Sequence, residues 1–136
     1  MTLVIESLDL TLSKRTIVKD VTLNVNRGEV VGLLGPNGAG KTSTFNMIVG
    51  LIKPNKGNIY LEGKSIKNFS MTKRVQFGIG YLPQEPSVFR NLTVVENLDI
   101  ALSQSDLSIS LHRKKREELI DEFNLVSFLY RFGYQL

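Results

Sequence analysis

Cysteine is missing altogether from these 136 residues, which rules out a disulfide framework and any thiolate metal site. No apolar run approaches the roughly 18 residues needed to cross a bilayer. The opening Met1-Thr2-Leu3-Val4-Ile5-Glu6 also lacks the basic start and long apolar stretch of a secretory signal. These absences predict a cytosolic setting, with any membrane association made through a partner. There is no internal repeat and no low-complexity tract. Charge of one sign is scarce as well: 17 Lys and Arg stand against 13 Asp and Glu, a net charge of +4. Most of the basic residues are scattered, and the cluster His112-Arg113-Lys114-Lys115-Arg116 reads as the solvated face of a helix, so no nucleic-acid partner is expected. His112, set in that cluster, is read as a surface residue. At 42% hydrophobic residues the chain has enough apolar material for one core and no more than one domain.

What the chain does contain is a GxxxxGK[ST] stretch, Gly35-Pro36-Asn37-Gly38-Ala39-Gly40-Lys41-Thr42, directly after the apolar run Val30-Val31-Gly32-Leu33-Leu34. The pattern predicts a buried strand that feeds a phosphate-cradling loop, which in turn opens a helix. Glycines let the loop turn its N–H groups toward phosphate oxygens at the positive end of that helix. Lys41 adds a point charge for the terminal phosphates. The Thr42 hydroxyl is a hard oxygen donor suited to the magnesium ion that accompanies ATP.

Around this motif, Leu3-Val4-Ile5 with Leu8, Leu10 and Leu12, then the alternating Val21, Leu23 and Val25, predict a hairpin-like pair of strands. Phe45, Ile48, Val49 and Leu51 are expected on one side of a helix ended by Gly50 and Pro54. Asn58 to Glu62 reads as a short strand, Met71 to Phe77 as one or two helical turns, and Gly78 to Leu82 as a second buried strand stopped by Pro83. Thr93 is placed to cap a helix that carries Val94, Val95, Leu98, Ala101 and Leu102. Ser103 to Ser110 is read as a linker or exposed turn. A last amphipathic helix is expected from about Leu111 to Asn124, with Leu119, Phe123 and Val126 on one face.

Taken together, these residues resemble the nucleotide-binding subunits of ATP-binding-cassette (ABC) transporters along essentially the whole chain. The block from Gly28 to Thr42 is similar to the family's strand and phosphate loop, and Gly80-Tyr81-Leu82-Pro83-Gln84 to its glutamine loop. Within the family, Phe45 to Leu51 and the block from Gly78 to Val94 look most like the ATPases of lipopolysaccharide export. Branched-chain amino-acid importer ATPases share a similar glutamine-loop block. The resemblance implies an α/β fold, a P-loop NTPase of the ABC nucleotide-binding type. One domain part would cover 1–136, with a β portion and phosphate loop over about 1–85 and the start of a helical subdomain over about 86–136. It implies ATP and Mg2+ as ligands, held by Gly35, Pro36, Asn37, Gly38, Ala39, Gly40, Lys41, Thr42 and Ser43. Thr42 and Gln84 would serve the metal. It further implies transmembrane transporter subunits as partners, a homodimer of the intact ATPase, and a peripheral place on the cytoplasmic face of the inner membrane.

Two departures stand out. Leu12 occupies the position where relatives usually stack an aromatic ring on adenine. Tyr60 and Tyr81, the nearby aromatics by type, fall in predicted strands and are read as core residues. The family signature begins Leu-Ser-Gly-Gly, and Leu136 matches its first residue. The catalytic glutamate and switch histidine that follow in relatives have no counterpart here, so the chain is expected to bind ATP without turnover. The alternative from another class is a non-catalytic, ATP-responsive module that engages a membrane partner through the glutamine-loop surface.

Overall fold

The computed structural model describes residues 2–105 and 107–136. Its elements are β1 (Leu3–Leu12), β2 (Arg15–Val25), α1 (Lys41–Val49), β3 (Lys56–Leu61), β4 (Lys64–Ser65), α2 (Met71–Gln76), α3 (Val94–Ser103) and α4 (Ile109–Glu122), followed by 3-10 turns at Val126–Phe128 and Gly133–Gln135. They fall into two compact units, Met1–Tyr81 and Leu82–Leu136.

The first unit is built on a four-stranded sheet of order β2-β1-β3-β4, antiparallel throughout. The β1–β2 hairpin closes on Ser13 and Lys14, both at positive φ (48° and 65°), the backbone of a type I′ turn whose twist suits two-residue hairpin loops. Strict alternation would not bury Ile5, Leu8 and Leu10 together, because Ile5 and Leu8 are an odd number of residues apart. Ser7 resolves this by taking φ 47° at a register shift between Ile5 and Leu8, so the strand bulges and all three side chains lie at 1% exposure or less. A second irregularity is held by the Asp9 carboxylate, which accepts from the Asp20 amide at 2.7 Å. Leu12 lies beyond the buried set and is 47% exposed. The core joins Ile5, Leu8, Leu10, Val18, Ile59, Leu61 and Ile66 to Met47 and Ile48 of α1.

Helix α1 differs from the expected pattern in which face it buries. Thr44, Met47, Ile48 and Val49 are buried, while Phe45 and Leu51 are about half exposed. The two predicted buried strands are also absent. Residues 30–34 and 78–82 form no strand, and Val30, Leu34 and Leu82 are at least 90% exposed. No backbone hydrogen bond is made by 30–34 among the described residues. An apolar run becomes a strand only when a neighbour takes its N–H and C=O groups, and no strand of this sheet lies beside it. Tyr60, in β3, and Tyr81, outside any strand, are half-buried rather than core residues.

In the second unit, α3 carries the expected cap. Thr93 Oγ1 accepts from the Glu96 amide at 3.3 Å, and Glu96 Oε2 accepts from the Thr93 amide at 2.7 Å, a complete capping box. Arg116 of α4 reaches Asp99 of α3 through two bonds of 2.8 and 2.9 Å. The last helix starts two residues earlier than predicted, at Ile109, and buries none of its residues. Phe123 and Val126 are more than 60% exposed, so the expected apolar face is not covered. The predicted Ser-rich linker is shortened at both ends, by Ser103 in α3 and by Ile109 and Ser110 in α4, and its Asp106 lies outside the described residues. The chain's aromatic finish folds back on the start of α3: Val94 N donates to Arg131 O at 3.0 Å and Gly133 N to Leu92 O at 2.9 Å, with Phe132 and Tyr134 stacked at 5.5 Å.

Candidate phosphate-binding site

The 35–42 stretch leads into α1, and Gly40 sets where that helix begins. Gly40 is the N-cap, at φ 86°, a left-handed conformation that any Cβ disfavours. A Cβ there would also lie 2.6 Å from Ile17 O and 3.0 Å from Val18 Cγ2. Glycine thus brings the loop against β2, and no other residue fits that approach. The first hydrogen bond of α1 runs from Thr44 N to Gly40 O at 2.8 Å. The amides of Lys41, Thr42 and Ser43 therefore precede the helical ladder. No side chain caps them and no acid stands in the first turn. A helix start of this kind presents donors and a positive dipole end to an anion.

Lys41 curls back over the loop, and its Nζ donates to Gly35 O at 2.8 Å and Pro36 O at 2.7 Å. That seats a positive charge on the carbonyls at the front of the loop. Ala39 N closes a turn on Pro36 O at 3.2 Å. Asn37, Gly38 and Ala39 are exposed, as is Thr42, and Ser43 is half-buried. Among the described residues the hydroxyls of Thr42 and Ser43 make no hydrogen bond. An exposed hydroxyl free of protein acceptors suits an oxygen-loving Mg2+.

The other predicted residues belong to other segments of the chain. Leu12 is at the hairpin end of β1. Gln84 is exposed in the second unit. Nearby in that unit, Phe89 is 58% exposed and helps line an apolar groove of about 470 Å³ with Val88, Val94, Leu98, Ala101 and Leu136. The Phe89 backbone is clamped by Asn97, whose Oδ1 accepts from Phe89 N at 2.8 Å while its Nδ2 donates to Phe89 O at 3.1 Å.

Sequence reasoning does not single out Arg74, one of the scattered basic residues. Arg74 is 1% exposed, and burial pushes its guanidinium pKa down. It donates to four carbonyls: Met47 and Ile48 at the end of α1, and Lys67 and Phe69 in the loop between β4 and α2. No salt-bridge partner is recorded for it among the described residues. A single arginine without a periodic partner carries no sequence signal of burial. The one available hint was Gly50, whose need for glycine is partly Arg74 itself: a Cβ there would meet Arg74 Nε at 3.0 Å.

With this geometry in view, comparison with known proteins places the chain. The ABC transporter family model matches residues 18–135. A lipopolysaccharide export system ATP-binding protein LptB from Haemophilus influenzae is 52% identical over 121 residues, covering 88% of this chain and 50% of that protein. The LptB of Escherichia coli K12 is 48% identical over 112 residues, covering 82% of this chain and 46% of that protein. Among solved structures, an ATP-binding subunit of an ABC transporter superposes at TM-score 0.84 with 30% identity, over 100% of this chain and 56% of its own. The ADP conformation of an ATP-binding cassette of an ABC transporter gives TM-score 0.82 with 26% identity, over 100% of this chain and 59% of its own. The chain thus spans about half the length of the curated relatives it matches. Its fold is that of part of an ABC nucleotide-binding domain, and the chain belongs to the ABC transporter family.

Proposed function

We propose that this chain is the phosphate-binding part of an ATP-binding subunit whose parent protein drives lipopolysaccharide or lipid export by an ABC transporter. The observation that carries the reading is the start of α1, where uncapped amides, a left-handed Gly40 and the Lys41 ammonium converge on one loop. The 35–43 segment holds the phosphates, and Leu12 lies against the base. The export assignment rests on the names of the relatives matched over most of this chain.

Bound Mg2+ would neutralise phosphate charge, and Thr42 is the residue of α1 that would hold it. The chain's own contribution is binding and orientation. Phosphoryl transfer to water needs a positioned nucleophile as well as a cradle, and the 35–43 segment supplies the cradle. The 136-residue chain is accordingly read as binding ATP without sustained turnover. Titration with a fluorescent ATP analogue tests this: affinity should rise with Mg2+ in the wild type and lose that rise in Thr42→Val. Sustained phosphate release by the pure chain would refute the division between cradle and chemistry.

The surface bearing Gln84, Phe89 and Arg90 is the candidate contact with a transmembrane subunit, in a parent protein that pairs as a homodimer on the cytoplasmic face of the membrane. An exposed aromatic on a clamped loop, next to an arginine, has the make-up of an interface anchor. In a protein completed with the C-terminal half of the Haemophilus influenzae relative, Phe89→Ala with Arg90→Ala should abolish co-purification with the transmembrane subunits. ATP affinity should stay within about threefold, or roughly 0.6 kcal/mol. Unchanged co-purification would remove this loop from the interface, and loss of folding would show that Phe89 serves the groove instead.

A further inference from the structure

Helix α1 follows the phosphate loop and places Met47 and Ile48 in the core of the first unit, and its two ends are held by different devices. At the front, Gly40 lies against the backbone of Ile17 and Val18. At the rear, the last carbonyls of any helix lack internal donors and bear the negative end of its dipole. Gly50 deals with one of them: the amides of Gly50, Leu51 and Ile52 all converge on Asn46 O at 2.9 to 3.1 Å. The next two carbonyls, Met47 and Ile48, are taken by Arg74 Nη1 at 2.7 and 2.6 Å. The same guanidinium reaches Phe69 O through Nε at 3.2 Å and Lys67 O through Nη2 at 3.0 Å.

We infer that Arg74 is a positioning residue for the phosphate site, a clamp that fixes the axial position of α1 and therefore where the Gly40–Ser43 amides stand. The inference rests on the phosphate-binding reading of the 35–43 loop. Three features favour a clamp over simple core filling. A buried cation is costly unless its donors are met, and here they are met by carbonyls alone, so the charge is matched to the helix dipole rather than to an acid. The fork is rigid and planar, which ties two segments to each other at fixed spacing, as a lysine cannot. A Cβ on Gly50 would crowd Arg74, at 3.0 Å from Nε and 3.2 Å from Cδ, so a side chain there would have to push the guanidinium aside. An error at the rear of a nine-residue helix is carried to its front, because a helix is stiff along its axis while the phosphates require amides in place.

The test separates positioning from stability by comparing ligands. Wild type, Arg74→Met, Arg74→Lys and Ile66→Ala are titrated with ATP and AMP at a temperature where each is shown to be folded by circular dichroism. Ile66 is fully buried in the same core, and its truncation destabilises while leaving the guanidinium and the four carbonyl groups themselves chemically intact. Arg74→Met should weaken ATP roughly tenfold, about 1.4 kcal/mol of binding, while AMP changes less than twofold. Arg74→Lys should recover only part of the loss, and Ile66→Ala should keep the wild-type ratio of the two affinities. Equal ratios in Arg74→Met and Ile66→Ala would overturn the clamp and leave Arg74 a structural residue. If Arg74→Met does not fold, Arg74→Lys alone decides: a wild-type ratio overturns the inference. Failure of the wild type itself to bind ATP would instead refute the phosphate site on which this rests.

Discussion

Helix α3 begins with its amide donors filled by the chain itself, through the Thr93–Glu96 box and the carbonyls of Leu129 and Arg131, whereas α1 begins on a glycine that fills none. Thr93 and Glu96 supply an oxygen for each exposed amide they face, and the Glu96 carboxylate adds a negative charge at the positive end of α3. Gly40 contributes no side-chain acceptor, and the first turn of α1 holds no acid. A complete cap stabilises a helix whatever is bound. An open start on glycine leaves the same donors for an external anion and gives up only roughly a few tenths of a kcal/mol of cap stabilisation. The two starts separate a helix that is finished by the chain from one that is finished by a ligand.

The largest effect should come from removing the charge at the open start. Lys41→Ala takes away the ammonium now seated on Gly35 O and Pro36 O but leaves the amides ahead of the helical ladder. A charge-assisted contact contributes about 1.5–3 kcal/mol, so ATP affinity should fall by roughly ten- to 150-fold. AMP, which lacks the terminal phosphates, should lose much less. Equal titrations for wild type and variant would mean that α1 is open for some reason other than phosphate.

A smaller change tests whether the ligand at the open start also reaches the hairpin. Leu12 is about half exposed at the end of β1, so a larger ring is accommodated without disturbing the buried Ile5, Leu8 and Leu10. Leu12→Tyr should strengthen ATP binding by the about 0.5–1.5 kcal/mol of an offset stack, a few-fold to tenfold. No gain by fluorescence titration would separate Leu12 from the base.

The sequence made some of this architecture legible and hid the rest for identifiable reasons. The phosphate loop, the hairpin and the Thr93 cap are local devices, written in residues that lie next to each other or three apart. The runs Val30 to Leu34 and Gly78 to Leu82 have the apolar make-up of buried strands, but composition reports fitness to be paired and says nothing of whether a partner strand is present. The bulge at Ser7 depends on a positive φ that serine gives no advance sign of. The last helix was placed by periodicity, yet Phe123 and Val126 stay exposed because periodicity shows a face and not what covers it. Arg74 gives no sign of itself because its burial is decided partly by the carbonyls of Met47 and Ile48, 27 and 26 residues away, which no spacing in the sequence records.

The smallest effect on binding should come from opening α3 to match α1. Thr93→Ala removes the hydroxyl that accepts from Glu96 N and donates to its carboxylate, and loss of such a cap costs about 1 kcal/mol of helix stability. Because the phosphate loop is on α1, ATP affinity should be unchanged while denaturant or thermal unfolding shifts down. Acid should reproduce part of the same loss. The Thr93 hydroxyl, then its backbone amide, hold the Glu96 carboxyl below its usual pKa. A group lowered in the folded state stabilises it above the unfolded pKa, and that contribution is lost as pH falls from the ordinary carboxylate range through the folded value. Thr93→Ala should therefore flatten the acid side of the stability curve, since Glu96 would then titrate closer to its unfolded value. An unfolding curve whose acid slope is identical in the two proteins would show that the capping box is a geometric coincidence, and the contrast between the two helix starts would then rest on α1 alone.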